Sequence, residues 1–379
     1  MSALSAGHLF TDVNQGAVAA LLPFLISDRG ISLAAAGALV TAATLSSSIV
    51  QPLFGIFSDN RPLPALMPLG LLVAGVGIAL VGVAPSYPLI LLSVILSGVG
   101  VAAFHPEAAR FANYVSGSRR ARGMSFFSVG GNAGFALGPV MTTPLVLWFG
   151  LPGTLFLALP AALMAAVLFF EIPRMMDFKP VVSGNGAGEP AAEQEHWAPF
   201  ALMIAVVTVR SFVYFGLVAF VATYYSTVLG TTPALGNTAL SVMLFAGAVG
   251  TLTMGPLADR FGRKVVLGAS MLLLPPLILG FTLAGPLAGM VLLALVGAAT
   301  IGTFGVTVVM GQEYLPGRIG LAAGITMGFS IGLGGIGAPV LGFTADLSGL
   351  PATMLVIAGL PVIGLLLTLP LPRSTGRSG

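Results

Sequence analysis

Apolar residues gather along this chain in twelve stretches, each near the roughly 20 residues a helix needs to cross a bilayer. They cover about 4–27, 34–57, 65–84, 88–111, 123–149, 153–171, 198–228, 234–257, 265–284, 287–314, 320–346 and 351–369. Polar residues fall between them in short loops, with one exception. Residues 172–197 hold Ser-Gly-Asn-Gly-Ala-Gly at 183–188 followed by Glu189, Glu193 and Glu195, the composition of a flexible linker. The pattern predicts an all-α membrane protein of twelve transmembrane helices in two pseudo-symmetric bundles. Residues 1–171 would form the N-terminal six-helix bundle and 198–379 the C-terminal one, with 172–197 between them.

The breaks in the apolar pattern are more informative than the pattern. Seven ionisable residues lie inside the stretches: His8 and Asp12 in the first, His105, Glu107 and Arg110 in the fourth, Arg210 in the seventh and Glu313 in the tenth. A charge in hydrocarbon is costly, so such a residue faces the protein interior or a watery cavity and is functional by default. In bundles built from three-helix units, spans 1, 4, 7 and 10 are the first helix of each unit. One kind of helix therefore lines one polar site, and the chain reads as a transporter.

Helical spacing sharpens these candidates. His8, Asp12, Gln15 and Ala19 share one face of span 1, and Asp12 lies about 12 Å inside its end at 1.5 Å per residue. A carboxylate there suits a proton carrier, and a locked helix–helix hydrogen bond is the structural alternative. Glu107 and Arg110 are three apart and so are neighbours, while His105 lies about 200° around from Glu107. Glu107 and Arg110 are therefore expected to face the cavity. His105 is left between a proton relay and a structural histidine. Arg210, with Tyr214 one turn on, cannot shed its proton and needs a carboxylate or an anionic ligand. Glu313 lies just before Pro316 and fits a gate as well as the deep site. In span 5, Gly130, Gly134 and Gly138 predict close packing of a neighbouring helix. Ser125, Ser128 and Asn132 form a polar stripe there, for substrate contact or for interhelical hydrogen bonds.

Composition agrees. Charged residues make up 7% of the chain, hydrophobic ones 56%, and mean hydropathy is +1.03, which excludes an ordinary soluble domain. There are no cysteines, hence no thiol chemistry. The first stretch lacks a basic preface and carries His8, Asp12 and Gln15, so it is expected to remain as span 1 rather than act as a signal peptide. Twelve of the fifteen basic residues fall on the side that holds both termini: Arg61, Arg119, Arg120, Arg122, Arg174, Lys179, Arg260, Arg263, Lys264, Arg318, Arg373 and Arg377. Arg29 stands alone on the other. The positive-inside rule then places both termini in the cytoplasm. Basic residues scattered over short loops give no patch for nucleic acid.

The two halves repeat. Gly55-Ile56-Phe57-Ser58-Asp59 matches Gly255-Pro256-Leu257-Ala258-Asp259, and Gly138-Pro139-Val140 matches Ala338-Pro339-Val340, both at an offset of 200. Parallel six-span repeats with a midplane site are the architecture of major facilitator transporters. The run from Gly255 through Asp259, Arg260, Gly262, Arg263 and Lys264 resembles that superfamily's loop motif, while the first copy departs from it at Asn60, Arg61 and Pro62. Glycine there would let two helices approach, and Asp259 would sit against a neighbouring helix N-terminus, worth about 0.3–1 kcal/mol. Span 5 also resembles the exporters' antiporter motif in part, with Thr142-Thr143 in place of its last glycines.

Longer runs narrow the resemblance. Gly7-His8-Leu9-Phe10-Thr11-Asp12, Phe104-His105-Pro106-Glu107-Ala108-Ala109-Arg110, and Gln312-Glu313 followed by Pro316-Gly317-Arg318 resemble the fosmidomycin-resistance family. The resemblance implies a monomeric exporter in the bacterial inner membrane, driven by proton antiport, moving a small drug-like or anionic compound without a cofactor. A proton-coupled uptake carrier would share nearly all of these features. An intramembrane enzyme would have to draw acid–base or metal pairs from His8/Asp12 and His105/Glu107. No nucleophile motif or HExxH accompanies them, and two histidines on separate helices are weak metal evidence. No enzyme activity and no metal are expected.

Overall fold

A computed structural model describes residues 1–60, 63–116, 120–177 and 195–372, without the side chains of 52, 55–60, 120–122, 319, 320, 323, 327 and 329–331. The side chains of Gly55 and Asp59 in the first loop motif therefore lie outside the described residues. So do most of the linker, Arg61, Arg119, Arg373 and Arg377, and the side chains of Arg120 and Arg122.

The described chain is helical throughout. α1 (Ser2–Arg29), α2 (Leu33–Asn60), α3 (Leu66–Val81), α4 (Tyr87–Ser116), α5 (Arg120–Phe149) and α6 (Ala158–Met176) precede the linker. α7 (Trp197–Thr227), α8 (Pro233–Phe261), α9 (Arg263–Leu283), α10 (Pro286–Gly302), α11 (Phe304–Tyr314), α12 (Ile319–Gly324) and α13 (Ser330–Thr368) follow it. Nine helical segments among the described residues are long and apolar enough to cross a membrane, and Leu66–Val81 is apolar but shorter. Trp148, Phe170, Leu283, Leu287 and Leu347 are exposed on the surface, a load of apolar area that only lipid matches. This is a multi-pass membrane protein.

Three departures from the twelve simple runs are local. α6 continues to Met176, past the expected end at 171. The tenth run breaks at Thr303, between α10 and α11, in a Gly-Thr-Phe-Gly stretch of weak helix formers. The last two runs meet at Gly349, whose φ of 81° only glycine adopts cheaply, so the end of α13 is a separate helix beyond a kink.

Contacts divide the chain into two compact units, Met1–Ile31 with Ala42–Gly186, and Ser32–Thr41 with Ala187–Gly379. In the first unit α1 lies against α5 because α5 offers glycine where α1 presents backbone. A Cβ on Gly130, Gly134 or Gly138 would strike Ser5, Leu9 or Gly16. The apolar core beside them joins Leu4, Met67, Leu71, Phe104, Phe111 and Leu168. The second unit repeats this device: Gly334, 200 residues after Gly134, meets Ser211 of α7, and Gly337 meets Phe212. The N-terminal turn of α2 belongs here too. The Asp346 carboxylate accepts the backbone N–H of Leu33 at 2.8 Å and of Ala34 at 2.9 Å, supplying partners to amides that a helix start leaves bare.

Candidate functional site

In the first unit α1 and α4 bring His8, Asp12 and His105 together. His8 and Asp12 are one turn apart on α1, with His8 Nε2 3.3 Å from Asp12 Oδ2. His105 reaches across from α4, its Nε2 3.3 Å from Asp12 Oδ1 and 3.1 Å from His8 Nε2. α5 closes the third side, where the His8 ring stacks on Phe127 at 4.1 Å. Gly131 leaves room there, since a Cβ on it would strike both His8 and Asp12.

The hydrogen-bond partners fix where the ring protons sit. His8 Nδ1 lies 2.9 Å from the Phe127 carbonyl, and His105 Nδ1 lies 2.8 Å from the Val101 carbonyl. A carbonyl only accepts, so each Nδ1 must carry the hydrogen. In the neutral rings both Nε2 atoms are then lone pairs, facing one another and a carboxylate. Acceptors converge with no donor among them, and Asp12 Oδ1 is buried without a hydrogen-bond partner. The arrangement is completed by one cation. A proton on either Nε2 would make a donor that bridges to Asp12 or to the other ring.

Glu107 does not join this cluster. Its fully buried carboxylate accepts the backbone N–H of Leu63 at 2.7 Å and lies 3.4 Å from Arg110. His105 therefore turns toward α1, while Glu107 turns to Leu63 and Arg110. The 200° separation was right, and α4 stays helical through Pro106, so only one of the two can turn toward α1. Gln15, three residues beyond Asp12, is half-buried, and so is Asn132. Ser125 and Ser128 are exposed.

The second unit holds the complementary case. Arg210 is fully buried, as are Thr303 and Thr307, the two hydroxyls it touches. Its Nη1 donates to Thr303 Oγ1 at 3.0 Å and to Thr307 Oγ1 at 3.4 Å, and its guanidinium lies 4.1 Å from the Phe304 ring centroid. Tyr214 packs on the edge of the same ring at 5.8 Å. The break between α10 and α11 thus delivers Thr303 and Phe304 to the cation. Nε and Nη2 have no acceptor, and no carboxylate pairs with Arg210 among the described residues. Thr303, Phe304 and Thr307 carry no charge, so nothing in the hydropathy pattern singled them out.

Glu313 and the better-kept loop motif meet at one end of this unit. Glu313, at 42% side-chain exposure, pairs with Arg263 at the start of α9, and Asp259 lies 3.9 Å from the same arginine. Glu313 is thus placed with the motif, away from the Arg210 contacts. Asp259 is 75% exposed and Arg260 rests over the Phe261 ring. Gly262 joins α8 to α9 at φ 90°, which explains its glycine. Gly255 is different: a Cβ there would meet nothing within 4 Å, so close helix approach does not account for it among the described residues.

The sequence profile of the Major Facilitator Superfamily matches residues 4–236 and 202–378. The fosmidomycin resistance protein of Escherichia coli is 33% identical over 97% of this chain and 91% of its own length. The MFS-type transporter YfnC of Bacillus subtilis is 33% identical over 95% of this chain and 89% of its own. Among solved structures, an inward-facing bacterial homologue of the human lysosomal transporter Spinster superposes with a TM-score of 0.80 at 16% identity, covering 97% of this chain and 95% of that one. A D-xylose–proton symporter gives 0.75 at 14% identity, covering 99% and 98%.

Proposed function

The chain belongs to the major facilitator superfamily, and from that premise we propose that it exports a small anionic, drug-like compound in exchange for protons. The observation that carries this reading is Arg210. A guanidinium cannot neutralise itself by losing its proton, and burying one unpaired costs several kcal/mol. The end of α10 beside it returns only about 0.3–1 kcal/mol. A buried cation with two nitrogens left open is a receptor for an anion. Phe304 and Tyr214 add an apolar wall for the rest of the molecule.

The first unit supplies the counter-ion. Asp12, with His8 and His105 beside it, offers the acceptors where a proton entering from one side can rest before leaving to the other. Glu107 instead holds the connection between α2 and α3, and Glu313 with Arg263 and Asp259 forms a gate. Alternating access in a bacterial inner membrane, by a monomer with both termini in the cytoplasm, is the setting this implies. The fosmidomycin resistance protein, by its name, acts in resistance to a drug, and that supports export over uptake here.

Proteoliposomes test it. Vesicles preloaded with members of a panel of small anions and cationic dyes are placed in acidic buffer. Antiport is expected to accelerate efflux of an anion as protons enter. Acceleration of inward movement instead would mark an uptake symporter. Turnover of a panel compound without flux would mark an enzyme and end the transport reading.

A further inference from the structure

His8, Asp12 and His105 each present one ligand atom, and these lie within 4.8 Å of one another. The edges of the cluster are 3.1 Å between the two Nε2 atoms and 3.3 Å from each to an Asp12 oxygen. Bonds of about 2.0–2.1 Å in a tetrahedron require ligand–ligand edges of roughly 3.3–3.4 Å. The two Nε2 atoms thus stand near two corners of such a centre, and the Asp12 carboxylate straddles the third, with Oδ2 toward His8 and Oδ1 toward His105.

The second sphere is in place as well. Each ring is held from behind by an Nδ1–H bond to a backbone carbonyl, Phe127 for His8 and Val101 for His105. Such a bond fixes the tautomer, aims the Nε2 lone pair, and raises the basicity of a metal-ligating histidine. Asp12 Oδ1 is buried and has no hydrogen-bond partner. His8, Asp12 and His105 keep 11%, 14% and 21% of their side-chain surface exposed, the access by which a fourth ligand would come from solvent. Spacing alone put His8 with Asp12 on one face of span 1 and His105 on another helix. The fold adds their convergence, the lone-pair orientation and the edges.

We propose that His8, Asp12 and His105 form a binding site for a divalent transition metal of the Zn²⁺ or Co²⁺ kind, with solvent completing the coordination. Two imidazoles and one carboxylate suit these ions, whereas Mg²⁺ and Ca²⁺ favour oxygen ligands. Because the ligands come from α1 and α4, a bound ion would cross-link those helices. The site stands independently of the export reading, since it is measured without transport.

The test uses the full chain in detergent or nanodiscs, purified by a tag without histidine. The chain has three histidines and no cysteine, so the background is low. Equilibrium dialysis against Zn²⁺ and visible absorption of added Co²⁺ are the readouts. One equivalent is expected to bind saturably, with the intense d–d bands of a four-coordinate Co²⁺ centre. His8→Gln and His105→Gln should each weaken binding by at least about tenfold, and the double variant should remove it. Asp12→Asn, close to isosteric, gives a second route if a histidine variant fails to fold. His196→Gln is expected to bind as the unaltered chain does. Absence of a saturable equivalent in the unaltered chain overturns the proposal. So does undiminished binding in well-folded His8→Gln and His105→Gln, or an equal loss in His196→Gln.

Discussion

The carboxylate of Glu107 accepts the backbone N–H of Leu63 at 2.7 Å, so this buried charge holds a loop. A carboxylate fully buried on a backbone amide, with Arg110 at 3.4 Å, stabilises a local geometry and has little freedom to exchange. Glu107→Gln keeps one oxygen for Leu63 but loses the charge facing Arg110. It is expected to lower thermal stability, by about 1–3 kcal/mol if the amide bond is also lost. Proton-driven flux per folded molecule should stay near that of the unaltered chain. Scanning fluorimetry beside a proteoliposome assay separates the two quantities.

Asp12→Asn is expected to do the reverse. The amide preserves the shape of the cluster and removes its negative charge. Flux driven by a pH gradient should fall to background, while substrate binding and substrate–substrate exchange persist. Normal pH-driven flux in this variant would take Asp12 out of the mechanism.

Arg210→Met tests the anion receptor. Methionine fills much of the buried volume without a charge, and replacing buried ionic groups by apolar ones is often neutral or stabilising by about 1–4 kcal/mol. The variant should therefore fold at least as well as the unaltered chain. Affinity for the transported anion is expected to drop by at least about tenfold, or 1.4 kcal/mol, read by scintillation proximity binding. Unaltered affinity would leave Arg210 with a structural role only.

Two neighbouring glycines should give different phenotypes. A Cβ at Gly134 meets the Leu9 backbone, whereas one at Gly131 meets the tips of His8 and Asp12. Gly134→Ala is expected to reduce yield and melting temperature, because α1 must move bodily. Gly131→Ala should fold, since side-chain tips can shift, yet lose proton-driven flux. Size-exclusion profiles together with flux measurements distinguish these outcomes.

Much of the fold was legible because a membrane leaves so few options. Long apolar runs can only be helices, and the 200-residue offset that paired Gly138 with Ala338 in sequence returns as Gly134 and Gly334 in packing. The site was legible where charge marked it, at His8, Asp12, His105 and Arg210. It was not legible where a partner carries no charge or is backbone. Leu63's amide, the carbonyls of Phe127 and Val101, and the hydroxyls of Thr303 and Thr307 have no signature in hydropathy. Asp346 escaped notice for another reason: at a span end an acidic residue looks like an ordinary loop charge, and its partners lie 313 and 312 positions earlier.

That separation bears on how the protein is made. Ser32–Thr41 leave the ribosome early, yet they pack with the unit that begins at Ala187. Until Asp346 has been synthesised, the amides of Leu33 and Ala34 have no carboxylate to meet. The first half of the chain is thus born with an unfinished helix start, and the insertion machinery or water must serve those amides in the interval. A chain split in the linker would leave Ser32–Thr41 on one product and the unit they pack with on the other.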